Sequence, residues 1–219
     1  MTPRWVVIGK VVIWVACLAP LTLLVLRYYE VRGSLGANPV EEILNVCGKT
    51  GLNLLILTLC ITPIRRSTGV NRLISFRRLL GLFAFFYLVL HFLTYALLDL
   101  RLAWDVLYID ITERPYITVG FTALMLLVPL AATSTHAMQR RMGRNWIKLH
   151  RLIYVIAVLG VVHYWWQTKL DVADPFLYAF VLAMLLGVRL SYRSVHTKTA
   201  VAPPNPRVEP PQAGEKAGD

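Results

Sequence analysis

Charge is scarce in this chain, and where it is missing decides the class. Only 16% of the residues are Asp, Glu, Lys or Arg, 57% are apolar, and the charges sit in brief clusters between long uncharged runs. A soluble domain of 219 residues would carry a larger charged fraction and could not hide so many such runs, so the composition describes a membrane protein. Acids are scarcer than bases, 12 against 23, which leaves a formal charge of +11. The basic residues fall at the ends of apolar segments, so membrane topology explains them and no nucleic-acid partner is expected. The three cysteines, Cys17, Cys47 and Cys60, follow no pairing pattern. With no CxxCH, a covalently attached c-type haem is excluded, and with no CxxC there is no zinc or iron–sulfur motif. Strand-period patterning and a G-x-G-x-x-G fingerprint are also missing, so the chain is not expected to take hydride from NAD(P)H by itself.

What is present is a series of apolar runs, each long enough to cross a bilayer as a helix of about 20 residues. The first runs from Val11 to Leu26 and is closed by Arg27, Tyr28 and Tyr29; it has no small-residue cleavage site and reads as a retained transmembrane helix. Asn38-Pro39-Val40-Glu41 has the capping residue, first-turn proline and acid of a helix start, leading into a span over Thr50–Ile64 that Pro63, Arg65 and Arg66 end. Further spans are expected over Leu79–Leu98, Tyr116–Thr135, Trp146–Trp166 and Pro175–Leu190. The spans show no sequence repeat. The loop from Arg65 to Arg78 holds five arginines and no acid, and the loop carrying Arg140, Arg141, Arg144 and Lys148 is also acid-free. The expected outer loop from Asp99 to Arg114 holds four acids, with Trp104 and Tyr108 as interface residues. This alternation predicts an all-α bundle of six transmembrane helices with both termini cytoplasmic. Residues 1–10 form the cytoplasmic N-terminus, 11–198 the bundle and 199–219 a disordered, proline-rich tail.

Ionisable side chains inside a membrane are costly, and their default reading is functional. His91 lies in the third span, and His150 and His163 lie in the fifth. At about 1.5 Å per residue, His91 is ~18 Å from the inner end of its helix, and His163 is ~20 Å beyond His150. His91 and His163 are therefore nearly level in the outer half, placed to give one axial ligand each to a haem iron. The level of His150 on the third span is taken by Arg77 and Arg78. A guanidinium has no free lone pair, so these residues suit a haem propionate or a flavin phosphate instead. Thirteen steps of about 100° also put His150 and His163 roughly 140° apart around one helix, which weakens the inner site. His136 and His196 read as interfacial, and the aromatic run Phe83, Phe85, Phe86, Tyr87 as packing.

Several stretches carry a resemblance: Asn38-Pro39-Val40-Glu41, Thr62-Pro63-Ile64-Arg65-Arg66, Arg77-Arg78-Leu79-Leu80-Gly81-Leu82, His91, Arg114-Pro115-Tyr116-Ile117-Thr118-Val119-Gly120, Pro129 through Thr135, and Trp146 through Leu152. In order, over roughly residues 35 to 190, they resemble the MsrQ (YedZ) family of bacterial inner-membrane haem proteins, related to the ferric reductase and NADPH oxidase transmembrane domain. The resemblance implies a haem b subunit that passes electrons from the quinone pool or a cytosolic flavin reductase to a periplasmic molybdopterin-containing subunit. That partner reduces methionine sulfoxide in periplasmic proteins. FMN is also implied, although no flavin fingerprint is present. Where oxidase relatives have a fourth ligating histidine, this chain has Arg77 or Arg78. The expectation is thus an electron-transfer subunit with His91 and His163 on an outer haem b and His150 at an inner haem or flavin site, clamped by Arg77 or Arg78. The rivals are a stand-alone transmembrane ferric or quinone reductase, and a haem-free transporter whose histidines relay protons.

Overall fold

The computed structural model describes residues 3–168 and 173–201, with side chains described through Ser191. Every named element among the described residues is helical, and six helical stretches are long and apolar enough to cross a membrane. Helix α1 (Arg4–Tyr28) begins inside the segment expected to be a separate N-terminus, because nothing in Arg4–Lys10 interrupts a helix. Helix α2 (Pro39–Thr68) starts as its signal predicts, with Asn38 Oδ1 accepting from the Glu41 N–H at 3.3 Å. It does not stop at Pro63. The helix continues to Gly69, whose φ of 71° closes it, and the Ser67 and Thr68 hydroxyls both donate to the Ile64 carbonyl in the last turn.

A 3₁₀ turn (Asn71–Leu73) leads into α3 (Ile74–Leu93), which continues as a π-helical segment (Thr94–Asp99). The expected loop after it folds instead as α4 (Trp104–Glu113), a short helix that buries Leu107 and Asp110 and exposes Trp104 and Tyr108. Its apolar positions alternate too briefly to read as a helix from sequence, and packing decides the matter. Helix α5 (Pro115–Ala132) follows, then the basic α6 (His136–Met142). The fifth span is two helices, α7 (Arg144–His150) and α8 (Leu152–Gln167), joined at Arg151. Around that joint the backbone tightens to three-residue hydrogen bonds, from Arg151 to the Lys148 carbonyl and from Tyr154 to the Arg151 carbonyl. Helix α9 (Ala173–Val201) runs past the expected end of the sixth span, so positions 199–201 are helical. The rest of the tail lies outside the described residues.

Helix α2 packs along α3, and α5 along α8. These two antiparallel pairs form the bundle centre, where Leu55, Ala84, Tyr87, Ile156 and Ala157 are fully buried. Helices α1 and α9 lie outside them, and exposed residues such as Val11, Val15, Met184 and Leu190 form an apolar surface suited to lipid. Among the described residues, the acids gather at one end of the bundle, where Arg27 pairs with Glu42, Lys49 with Asp174 and Arg114 with Asp110. The arginines of the 65–78 segment and of α6 and α7 mark the opposite, basic end.

Tyr87 ties α1 to this centre. Its hydroxyl donates to the Cys17 carbonyl at 2.6 Å and accepts from the Leu21 N–H at 3.3 Å, entering the hydrogen-bond ladder of α1 beside Pro20. Tyr87→Phe should cost only about 1 kcal/mol in detergent unfolding, because Cys17 and Leu21 are four residues apart and can close on each other. Tyr87→Ala also empties a buried ring site and should cost about 3–5 kcal/mol. Equal losses for the two variants would show that the hydroxyl, not the ring, holds α1.

Candidate cofactor site between facing histidines

His91 comes from α3 and His163 from α8, and their ring centres lie 6.2 Å apart at an interplanar angle of 81°. Each ring is oriented by a backbone carbonyl of its helix's packing partner. His91 Nδ1 is 3.0 Å from the Leu44 oxygen of α2, and His163 Nδ1 is 2.7 Å from the Tyr116 oxygen of α5. A carbonyl can only accept, so Nδ1 carries the proton in both rings and Nε2 keeps its lone pair. In both cases the carbonyl lies 47 residues before the histidine. The two helix pairs therefore deliver their histidines in the same way, an equivalence that the side chains of the spans conceal.

Each of those carbonyls is followed four residues later by a glycine. A Cβ on Gly48 would lie 3.0 Å from His91 Nδ1, and one on Gly120 would lie 2.7 Å from His163 Nδ1. Only a hydrogen at these positions lets the imidazole lie flat against the neighbouring helix and reach its carbonyl. Reasoning from sequence missed the contribution of Gly48, Gly120, Leu44 and Tyr116. The signal available was a glycine inside an apolar helix at histidine depth, where close approach is a reason for its presence.

The two histidines open onto a cavity of about 640 Å³. Its depth is lined by Leu52, Leu55, Phe92, Leu124 and Ile156, and its outer part by Lys49, Tyr95, Asp99, Arg114 and Tyr116. That size and lining suit a cofactor pocket, for which about 300–1,000 Å³ is usual. Two imidazoles bound through Nε2 on opposite sides of one metal ion, with bonds of ~2 Å plus about 1 Å from nitrogen to ring centre, would be centred about 6 Å apart. The observed separation and the free Nε2 lone pairs both meet that test.

His150 stands apart. It ends α7, its ring stacks on Trp146 at 3.9 Å, and its Nδ1 lies 3.1 Å from the Trp146 carbonyl. Arg77 is half-buried on α3 and close enough for its charge to act on His150, whereas Arg78 is exposed. The structure thus brings together His91 with His163 and His150 with Arg77, and leaves Arg78 out. His136 is exposed at the start of α6, as its interfacial reading requires.

At the cavity mouth, Asp110 is buried on α4, accepts from the Tyr95 hydroxyl and pairs with Arg114 at 3.0 Å. A hydrogen bond between Arg114 and Tyr116, and then the charge of Asp110, push the pKa of the Arg114 guanidinium up.

A six-span helical bundle with facing histidines on its third and fifth spans is the architecture of a ferric-reductase-like membrane component, and the comparisons agree. Residues 47–161 match the family model for the ferric reductase like transmembrane component. The protein-methionine-sulfoxide reductase heme-binding subunit MsrQ of Xanthomonas axonopodis pv. citri is 47% identical, covering 93% of this chain and 97% of its own. The subunit of the same name from Xanthomonas campestris pv. campestris strain 8004 is 49% identical over 91% of this chain and 95% of its own. That of Rhodospirillum rubrum is 48% identical over 84% and 88%. No solved structure matches the chain. The chain belongs to the MsrQ family of multi-pass, ferric-reductase-like membrane proteins.

Asp110→Ala strands the Tyr95 hydroxyl and removes the ion-pair partner of the exposed Arg114. A loss of about 1–3 kcal/mol in unfolding stability is expected, with faster proteolytic cleavage around α4. Unchanged cleavage would mean that α4 is held by its apolar face alone.

Proposed function

We propose that this protein is the haem b-binding electron-transfer subunit of a methionine sulfoxide reductase system, lying in a bacterial inner membrane with its basic end cytoplasmic. The observation that carries this reading is the facing pair His91 and His163, each with Nδ1 committed to a carbonyl and Nε2 turned free. Bound haem supplies a one-electron iron couple. The chain's own residues do the rest. His91 and His163 hold the iron, and the Leu44 and Tyr116 carbonyls orient the rings and raise their basicity. The apolar lining excludes water, and Lys49 and Arg114 offer positive charge to propionates at the mouth.

Electrons enter at the basic end, from the quinone pool or a cytosolic flavin reductase. They leave at the acidic end to a periplasmic molybdopterin-containing subunit that performs the reduction. His150 belongs to an inner haem or flavin site with Arg77 as its anionic-group clamp. FMN, which the family resemblance implies, would have Arg77 for its phosphate. The resemblance together with the named relatives favours this reading over a stand-alone ferric or quinone reductase, and the oriented histidine pair favours it over a proton-relaying transporter.

The test is a reduced-minus-oxidised spectrum with haem counted per chain. His91→Ala and His163→Ala should remove the same fraction of haem. Gly120→Val, which drives a side chain into the His163 ring, should remove most of that fraction without touching a ligand. His150→Ala should remove a different fraction, or FMN. A colourless wild-type protein would sink the proposal and bring the proton-relay reading forward.

Docking is tested separately, by stopped-flow oxidation of the reduced subunit with the purified periplasmic partner. Asp110 has a structural role, so the exposed acids Asp99, Asp105 and Glu113 are the ones to neutralise. Their triple Asn/Gln variant should slow transfer roughly tenfold or more at low ionic strength, as expected for charge-steered association. An unchanged rate would favour the stand-alone reductase.

A further inference from the structure

At the basic end, α2, α8 and α9 enclose a cleft that the electron-transfer reading does not use. Thr62 and Arg66 of α2, Tyr154 of α8 and Arg189 of α9 line it, with Leu185 and Val188 on the α9 wall. The Arg189 guanidinium lies 4.4 Å above the Tyr154 ring. That stacking fixes the guanidinium plane and leaves its N–H edges for an acceptor. The Tyr154 hydroxyl is buried and has no hydrogen-bond partner. A phenol sealed in that state is a donor waiting for a ligand oxygen. The charges of Arg66, Arg77 and Arg151 all reach Arg189, so the cleft is basic. Charge at this end is expected of any membrane protein with a basic face. A stacked arginine above an orphaned buried hydroxyl, within a cleft between spans, is not explained by topology.

From this cleft we propose a binding site for the phosphate of an anionic phospholipid, with Arg189 and Arg66 on the phosphate oxygens and the Tyr154 hydroxyl donating to one of them. A lipid is favoured over a soluble phosphate by the wall. Leu185 and Val188 line the cleft on the bilayer side of Arg189, and Met184 and Val188 are exposed where acyl chains would lie. Basic pockets between spans near one membrane face are a recognised mode of headgroup binding.

The experiment is native mass spectrometry of the full-length protein in detergent, titrated with phosphatidylglycerol and, separately, with phosphatidylethanolamine. Wild type should retain phosphatidylglycerol in preference to phosphatidylethanolamine. Arg189→Gln and Tyr154→Phe should each weaken that adduct by roughly tenfold, the scale of one charge-assisted hydrogen bond. Arg140→Gln, which removes a charge from α6 at the same end, should leave it unchanged. Tyr154→Phe keeps the ring beneath Arg189 and deletes only the hydroxyl, so its loss does not report misfolding. Equal retention of the two lipids, or an undiminished adduct in both cleft variants, overturns the proposal. Displacement of phosphatidylglycerol by millimolar inorganic phosphate overturns the lipid assignment and makes the occupant a soluble phosphate.

Discussion

The hydrogen bond from a histidine Nδ1 to a carbonyl of the neighbouring helix is the constraint on which the rest of the bundle depends. An imidazole in a membrane helix must place its N–H somewhere, since no water is there to take it. Here the acceptor is a helix carbonyl that already receives its own ladder bond, and carbonyl oxygens have a second lone pair to give. Reaching it requires the two helices to approach closely, and Gly48 and Gly120 remove the side chains that would keep them apart. The tight pairing of α2 with α3 and of α5 with α8 is thus the condition for fixing each tautomer. Once both are fixed, each ring keeps its Nε2 lone pair, and both histidines border the same cavity.

The remaining packing keeps that cavity open without leaving polar groups stranded in lipid. Tyr87 closes the ladder of α1 where Pro20 disturbs it, and Asp110 anchors α4 across the mouth through Tyr95 and Arg114. Lys49 and Asp174 join α2 to α9 at 2.9 Å, with the Tyr164 hydroxyl donating to the same carboxylate. Ion pairs this exposed add little stability. Their effect is on position, because they keep the acids and bases of the acidic end off the apolar walls.

Much of this was legible in the sequence because a membrane simplifies the code. Six apolar runs and the segregation of arginines from acids were enough for the bundle, and counting residues along two helices put His91 level with His163. What stayed hidden lay between helices. The roles of Gly48 and Gly120 depend on which helix faces which, and spacing along one chain does not carry that. Helix α4 was hidden because its apolar residues, Trp104, Val106, Leu107, Ile109 and Ile111, keep to no single face, so it looks like a loop until Leu107 and Asp110 are seen buried. The ambiguity between Arg77 and Arg78 had the same origin. Adjacent residues point about 100° apart on a helix, and only the packing of α3 decides which of them is turned toward His150.

The relation between His150 and His163 shows why an objection drawn from ideal geometry can be sound and still leave the fold intact. On one straight helix they would sit roughly 140° apart, and the inner histidine could not share a face with the outer. The chain divides that helix at Arg151 instead, so each histidine answers to its own neighbours. His163 on α8 follows α5 and its glycine. His150 on α7 turns back onto Trp146, four residues earlier on its own helix, and also reaches the Leu130 backbone of α5. His91 and His163 are therefore oriented from neighbouring helices, whereas His150 is held both within its own helix and from α5. Arg77 of α3, the helix carrying His91, adds its charge to the surroundings of the inner histidine.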